Sequence, residues 1–416
     1  METSTMREKY LIVMTLIYFL WPVLSLAAEP GTDCEATNYI EVIRCSEKSS
    51  SEIGISEQQL KATQELDGVA RQWINPELDA ETVSKGSEQS ETSATLFFTL
   101  RLGGKRDALV GEAQSEIERA RADRDLGVYQ SRLELMLSLY RLSHLKSEIH
   151  LEEESVETFS KIVKQFQRRP ALSPEQDVSL SVFKMALADH QLRLTKLKAD
   201  EDKLYRSLNA ITGLSKSLLS KNLPPVKQAW PSVENRSPAG ESPQVRAALA
   251  NLKLAKSQKQ KAEGESWPDI KIGPSVKAVK ENGESTTFVG LGLSMPLPVF
   301  SQNGAGRAYS AQKILEAEMS ADQTKRKIAA TREELVNRYN QTIQSLKSSL
   351  SLRIVNEKHE QLEKQFFKGL VPSSLVIEAH RQLFELEERR NASELEALEA
   401  LGRILILDNK FSEVIL

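Results

Sequence analysis

The stretch TFVGLGLSMPLPVFSQNGAGR, residues 287–307, decides the fold. Apolar side chains take alternate positions at Val289, Leu291, Leu293, Met295 and Leu297, with Gly290, Gly292 and Ser294 between them. A period of two is that of a β-strand with one greasy face. The strand runs into a Gly-rich corner, Gln302 to Arg307, and beyond it no proline occurs before Pro372. A strand feeding a very long helix is an unusual unit, and its neighbours on both sides repeat the theme.

Upstream, Asn282-Gly283 is a hairpin turn signal. Before it, Ile270, Ile272, Val276 and Ala278 alternate with Asp269, Lys271, Ser275 and Lys277. The same plan occurs earlier in the chain, about 200 residues away, which marks an internal duplication. There Ala94, Leu96, Phe98, Leu100 and Leu102 alternate with Ser93, Thr95, Thr99 and Arg101, Phe97 being the exception. The corner is LGGKRD, Leu102 to Asp107, and a weaker first strand sets Leu78 and Ala80 against Glu77, Asp79 and Glu81. Trp73, at the end of the preceding helical stretch, recurs as Trp267. Strands are therefore expected at about 75–85, 92–102, 269–280 and 286–297, each close to the ~9–11 residues of a tilted transmembrane β-strand. The lipid-facing set is Ala94, Leu96, Phe98, Leu100, Ile270, Ile272, Val276, Val289, Leu291 and Leu293.

The helices follow from spacing and punctuation. One runs from about 105 to 166, roughly 60 residues or ~90 Å at the helical rise. Its return partner, about 174–214, carries a 4,3 seam of Phe183, Leu187, His190, Leu194, Leu197, Glu201, Leu204, Leu208 and Ile211, the rhythm of a left-handed coiled coil. Ser173 and Pro174 suit an N-cap and a first helical position. The second copy predicts a long helix over 304–366 and a return helix over 373–410, with Val376, Ala379, Leu383 and Leu386, then Ala397, Ala400, Ile404 and Leu407, on the seam. Arg390 and Ser393 interrupt it. The domain plan is a leader over 1–27, a first repeat over 28–220, a connector over 221–242 marked by Pro224, Pro225, Trp230, Pro231 and Pro238, and a second repeat over 243–416.

The leader is the apolar run Leu11 to Ala27, preceded by Arg7 and Lys9, with Ser25 and Ala27 at the cleavage positions. It has the layout of a secretory signal peptide; an uncleaved anchor is the other reading. Cys34 and Cys45 are open to pairing in an oxidising compartment or to remaining free thiols.

Composition narrows the function. The 416 residues carry 55 basic and 58 acidic side chains, a net charge of −3. That balance argues against a nucleic-acid partner. Two cysteines exclude a disulfide scaffold and a Cys-rich zinc site. His144, His150, His190, His359 and His380 show no HExxH and no paired zinc spacing, and the chain has no GxSxG, GxxxxGK or CxxC. No catalytic residue, no cofactor and no metal site is expected. Four strands cannot close a barrel, and an open edge in lipid is prohibitively costly, so several copies must contribute to one barrel.

Taken together, PELDAE at the first strand, LFFTLRLGGKRD and GLGLSMPLPVFSQNGAGR at the corners, and the two helical tips resemble the TolC-type outer-membrane efflux proteins. The match covers nearly all of the expected mature chain, and the PLPVFSQNGAGR corner looks most like the heavy-metal, CzcC- and CusC-like, branch. The resemblance implies a homotrimer with four strands per chain in one outer-membrane β-barrel, continued by a periplasmic α-helical barrel of antiparallel coiled-coil hairpins. It also implies a periplasmic adaptor and an inner-membrane pump of the resistance-nodulation-division type, with this chain a passive exit duct for heavy-metal cations. A drug-efflux or type I secretion duct, or a soluble periplasmic coiled-coil scaffold, are the rival expectations. In that family the tips form the periplasmic aperture and dock the adaptor. Here they are Arg168, Arg169, Leu172, Ser173 and Asp177, then Lys368, Gly369, Pro372, Ser373, Ser374 and Glu378. Asp177 and Glu378 are candidates for a charged aperture ring, against the plainer reading of a solvated helix face. Glu77, Asp79 and Glu81 are candidates for an acidic lining offset by Lys271 and Lys277. Heavy-metal relatives often carry a lipidated N-terminal cysteine, which this leader lacks.

Overall fold

A computed structural model describes residues 36–85, 89–227, 229–234, 242–281, 283–350 and 352–411. The leader, Cys34 and Asn282 lie outside them, and with Cys34 the question of its pairing to Cys45. Two helices, α1 (Tyr39–Ser49) and α2 (Ser51–Arg71), lead into a hairpin of β1 (Glu77–Lys85) and β2 (Gln89–Leu100). The chain then forms α3 (Lys105–Gln167), α4 (Pro174–Thr212) and the short α5 (Lys216–Lys221). The second half repeats the order with α6 (Pro243–Gly264), the hairpin β3 (Ile270–Glu281) and β4 (Glu284–Ser294), α7 (Gly304–Ser348), α8 (Leu352–Phe367) and α9 (Ser373–Leu407). Among the described residues no helix is long and apolar enough to cross a membrane.

The 63-residue α3 is about 95 Å long at 1.5 Å per residue. It packs against α2, α4, α6 and α9. Buried residues therefore occur on more than one of its faces, from Ala108 and Ala122 through Leu139 and Leu142 to Phe159 and Ile162. A helix pressed from several sides cannot show one narrow apolar stripe. The seam on α4 is buried at Phe183, His190, Leu197 and Leu208. Towards its end the buried positions become Tyr205, Leu208 and Thr212, and Ile211 turns outward. That is the drift of a 3.6-residue helix against a 3.5-residue repeat.

Both corners use one backbone device. A left-handed residue stands directly before each long helix: Gly104 at φ 71° before α3, and Asn303 at φ 53° before α7. Asn303 tolerates it because its side-chain amide donates to the Ala262 carbonyl (3.0 Å) and to Glu265 (2.8 Å) at the end of α6. The two Trp-marked helix ends, on α2 and α6, thus sit beside the corners that they precede in sequence. Arg106 stacks over the Trp73 ring at 4.6 Å, and Lys105 pairs with Asp269 at 2.7 Å.

Two expectations need correction. The second long helix is not continuous to Phe366 but breaks between Ser348 and Leu352. The run Ser345-Leu-Lys-Ser-Ser349 explains it. Ser348 and Ser349 hydroxyls donate to the carbonyls of Ser345 (3.0 Å) and Leu346 (2.8 Å), competing with the helical ladder. Arg390 from α9 then donates to Ser349 Oγ at 2.5 Å and to the Leu346 carbonyl at 3.4 Å, stabilising the opened turn. The residue that interrupts the apolar seam is thus the one that holds the break. Next to it the α3–α9 interface turns polar: Glu148 accepts from Arg141 (2.8 Å) and Asn391 (3.0 Å), and Ser147 donates to Glu387 (2.7 Å). Second, β4 ends at Ser294, so Met295 and Leu297 fall beyond the strand, where Pro296 and Pro298 remove ladder donors.

Candidate functional site

The four strands form one antiparallel sheet in the order β1-β2-β3-β4. Register decides which side chains share a face. Leu96 stands opposite Leu78, Ala94 opposite Val276, Val276 opposite Val289, Phe98 opposite Ile272, Ile272 opposite Leu293, and Leu100 opposite Ile270. Leu291 faces Pro274 in the same row. All ten residues expected to be apolar and outward therefore lie on one side of one sheet. Among the described residues no helix covers this face: Val289 and Leu291 are each 80% exposed, and Leu78 and Leu293 71%.

The opposite face carries the charged pairs, with Val83, Phe97, Val279 and Phe288 interspersed. Lys271 pairs with Glu77 at 2.5 Å, Lys277 pairs with Glu91, and Thr95 donates to Ser275 Oγ at 3.0 Å. Lysines thus neutralise Glu77 and Glu91, and Asp79 and Glu81 keep the row acidic. Phe97, the exception to the alternation, lies over two glycines on this face. A Cβ at Gly292 would meet its ring at 3.1 Å, and one at Gly273 would meet its Cα at 3.2 Å. Among the described residues, the outer strands β1 and β4 have no neighbour along their outward backbone edges.

At the far end of the helices the two hairpins close side by side. Phe159, Ile162 and Val163 of α3, Leu180 and Phe183 of α4 and Val376 of α9 form a buried cluster, flanked by Phe366 of α8. Arg168 and Arg169 are exposed beyond it, and Arg169 lies 5.0 Å over the Phe166 ring. Leu172 does not point outward; it packs against the cluster. Ser173 caps α4 with a full capping box, its hydroxyl accepting from Gln176 N at 3.3 Å while Gln176 Oε1 accepts from Ser173 N at 3.2 Å. Lys368 and Gly369 are exposed at the second turn. Gly369 sits at φ 73°, with its N–H on the Phe366 carbonyl (2.8 Å) and that of Leu370 on Gln365 (3.1 Å). These two bonds are a Schellman C-cap, and they require the left-handed residue. Pro372 is the N-cap of α9, and Ser373 and Ser374 open the helix without a side-chain cap. Asp177 is exposed in the first turn of α4. Glu378 accepts from Arg381 (2.6 and 2.9 Å) and Gln382 (2.6 Å), which holds its carboxyl below the usual range. Its charge is compensated within its own helix.

No family model matches the chain. Two curated proteins match by sequence. The nickel-cobalt-cadmium resistance protein NccC of Alcaligenes xylosoxydans xylosoxydans is 27% identical over 287 residues, 64% of this chain and 62% of NccC. The cobalt-zinc-cadmium resistance protein CzcC of Cupriavidus metallidurans is 23% identical over 325 residues, 74% of this chain and 72% of CzcC. Among solved structures, the CmeC outer membrane channel of Campylobacter jejuni superposes with a TM-score of 0.69 at 12% identity, covering 90% of this chain and 86% of CmeC. The chain thus shares the fold of an outer membrane channel and is similar in sequence to NccC and CzcC. Its sequence relatives NccC and CzcC are both heavy-metal resistance proteins by name, and the match spans less than two thirds of NccC.

Near the tip the structure brings together residues that sequence spacing had separated. His359 and Glu363 stand one turn apart on α8, and His380 faces them from α9. His380 Nε2 is 3.1 Å from His359 Nε2 and 3.0 Å from Glu363 Oε1, and His359 Nε2 is 3.9 Å from Glu363 Oε1. Ser155 of α3 lies 3.0 Å from the Leu151 carbonyl, to which it donates, and 2.9 Å from His380 Nδ1. Burial, then the neighbouring His380, keeps His359 below the ordinary imidazole range. Contact with the His380 imidazole holds Glu363 below the ordinary carboxylate range. The sequence signal was present as an i, i+4 His-Glu pair, but its third member lies across a hairpin whose register no linear spacing reveals.

Proposed function

We propose that three copies of this chain assemble into one outer-membrane exit duct, and that the duct carries heavy-metal cations out of the cell for an inner-membrane pump. The observation that carries the reading is the register of the sheet. It gathers the ten expected apolar residues on a bare face and the ion pairs on the other, as a wall between lipid and water requires. An exposed apolar face of this extent on an otherwise packed chain marks an interaction surface. Strands of 9 to 12 residues suit a tilted crossing of a ~30 Å hydrocarbon layer.

The open edges supply the reason for assembly. Backbone groups of β1 and β4 have no water to bond within lipid, so a lone four-stranded sheet is untenable there. Three copies of the four-stranded sheet bring the total to about 12 strands, within the 8–26 of bacterial barrels. The apolar face would meet lipid, and the acidic row of Asp79 and Glu81 would line the lumen, where negative charge favours cations. Metal cargo is supported by the names of NccC and CzcC. The tips, with Arg168, Arg169 and Lys368 outward, would meet a periplasmic adaptor. The role is a passive conduit without catalytic residues or cofactor.

Complementation tests the cargo. A strain lacking its own metal-efflux duct, but keeping pump and adaptor, should regain tolerance to cobalt, zinc or cadmium when this chain is expressed. Restored drug tolerance without restored metal tolerance would transfer the duct to a different pump class.

A further inference from the structure

His359 Nε2, Glu363 Oε1 and His380 Nε2 converge on one point, and each is a Lewis base. In the tautomer whose Nδ1 proton is given to Ser155, 2.9 Å away, His380 keeps a lone pair on Nε2. That lone pair faces a second imidazole nitrogen at 3.1 Å and a carboxylate oxygen at 3.0 Å. In neutral imidazoles a proton on His359 can bridge only one of these contacts. A divalent cation satisfies all three. Three points 3.0, 3.1 and 3.9 Å apart lie on a circle of radius about 2.0 Å, the bond length of zinc to histidine nitrogen or carboxylate oxygen.

We propose that His359, Glu363 and His380 form a divalent-cation site of the zinc class, an intrachain clamp just behind the tip. Two histidines and a glutamate suit Zn²⁺ or Co²⁺, with the fourth position left to water. The surroundings are those of a built site. His380 is 1% exposed, its outer nitrogen is fixed by Ser155, and the Phe159 ring packs on it at 4.8 Å. Such outer partners orient a ligating imidazole and sharpen its affinity. Phe159 also contacts His190 at 5.1 Å, and His190 is held by Glu152 at 2.6 Å, so this second histidine is engaged outside the triad. It is the one cluster of three such ligands found among the described residues.

The placement gives the ion a mechanical role. Two ligands come from α8, the segment beyond the break at Ser349, and one from α9. An occupied site ties α8 to its hairpin partner and, through Ser155, to α3. The clamp does not depend on what the duct exports, so the binding test and the tolerance test can fail separately.

The experiment is titration of Zn²⁺ into the full chain, purified in detergent and stripped of metal, followed by calorimetry, with Co²⁺ absorption as a second readout. One ion per chain is expected, with the visible bands of a four-coordinate cobalt centre. Glu363→Gln and His359→Asn, chosen because both side chains reach the surface, should each abolish this stoichiometric binding. Their circular dichroism should remain unchanged. Ser155→Ala should weaken binding about 10–100-fold, as loss of an outer partner does, and exposed His150→Ala should leave it intact. Hydrogen exchange over 352–367 should slow with zinc in the parent and not in Glu363→Gln. Absence of binding in the parent chain overturns the proposal, and so does binding that survives in both ligand variants.

Discussion

Arg332 of α7 forks onto Asp408 at the end of α9, with Nε 2.6 Å from one carboxylate oxygen and Nη2 2.9 Å from the other. Both side chains are at most 10% exposed. A bidentate pair out of water fixes register as well as charge. Removing one partner leaves the other charge buried, at a cost of about 3–5 kcal/mol. Arg332→Met should therefore lower the thermal midpoint sharply, and Arg332→Met with Asp408→Leu should recover much of the loss. Equal melting of the single variant and the parent would show that the pair contributes nothing.

The apolar face of the sheet has its own test. Leu96→Arg with Leu291→Arg should prevent outer-membrane assembly, since a charge near mid-bilayer costs about 2–4 kcal/mol per site. Glu81→Arg, on the face of the charged pairs, should assemble. Fractionation and heat-modifiable gel mobility give the answer, and normal assembly of the double variant would mean that this face does not meet lipid.

Gly273 is where the two repeats are stitched together. An added Cβ there would lie 1.7 Å from the Leu96 carbonyl oxygen across the β2–β3 pairing. Backbone cannot yield as a side-chain end can, so Gly273→Ala must displace the strands. Overpacking of this kind typically costs about 1–3 kcal/mol, and more against backbone. The expected outcome is loss of the heat-modifiable species with the helical signal retained. An assembled Gly273→Ala duct would show that the repeats can join at a wider spacing.

Charge at the tips is predicted to matter for partners and not for folding. Arg168→Glu with Lys368→Glu should leave melting and assembly unchanged, because both side chains are exposed beyond the tip cluster. If an adaptor reads these charges, its affinity should fall about tenfold or more, the equivalent of ~1.4 kcal/mol. Site-specific crosslinking to the adaptor in cells provides the measurement.

Much of this architecture was legible because it rests on local rules. Two-residue alternation in 287–293 needs only the strand pleat. The N-cap role of Ser173 needs only a hydroxyl before Pro174. Repetition of strand, corner and long helix was visible because each corner needs a left-handed residue at the helix start, found as Gly104 and Asn303. Other features escaped for reasons of competition. The helix break at Ser349 depends on serine hydroxyls outbidding the ladder with help from Arg390, a residue 41 positions away. Leu172 reads as an exposed tip residue until the neighbouring hairpin is seen to cover it.

The sequence by itself determined that strands have one apolar face, that helices are far longer than a globular domain holds, and that the plan occurs twice. Periodicity and punctuation are properties of neighbours in the chain, so they survive in one dimension. Only the tertiary structure decided that the ten expected apolar residues share one face of a single sheet, and that His380 closes on His359 and Glu363. Those are matters of register between segments up to two hundred residues apart, and register is set by the packing of whole elements.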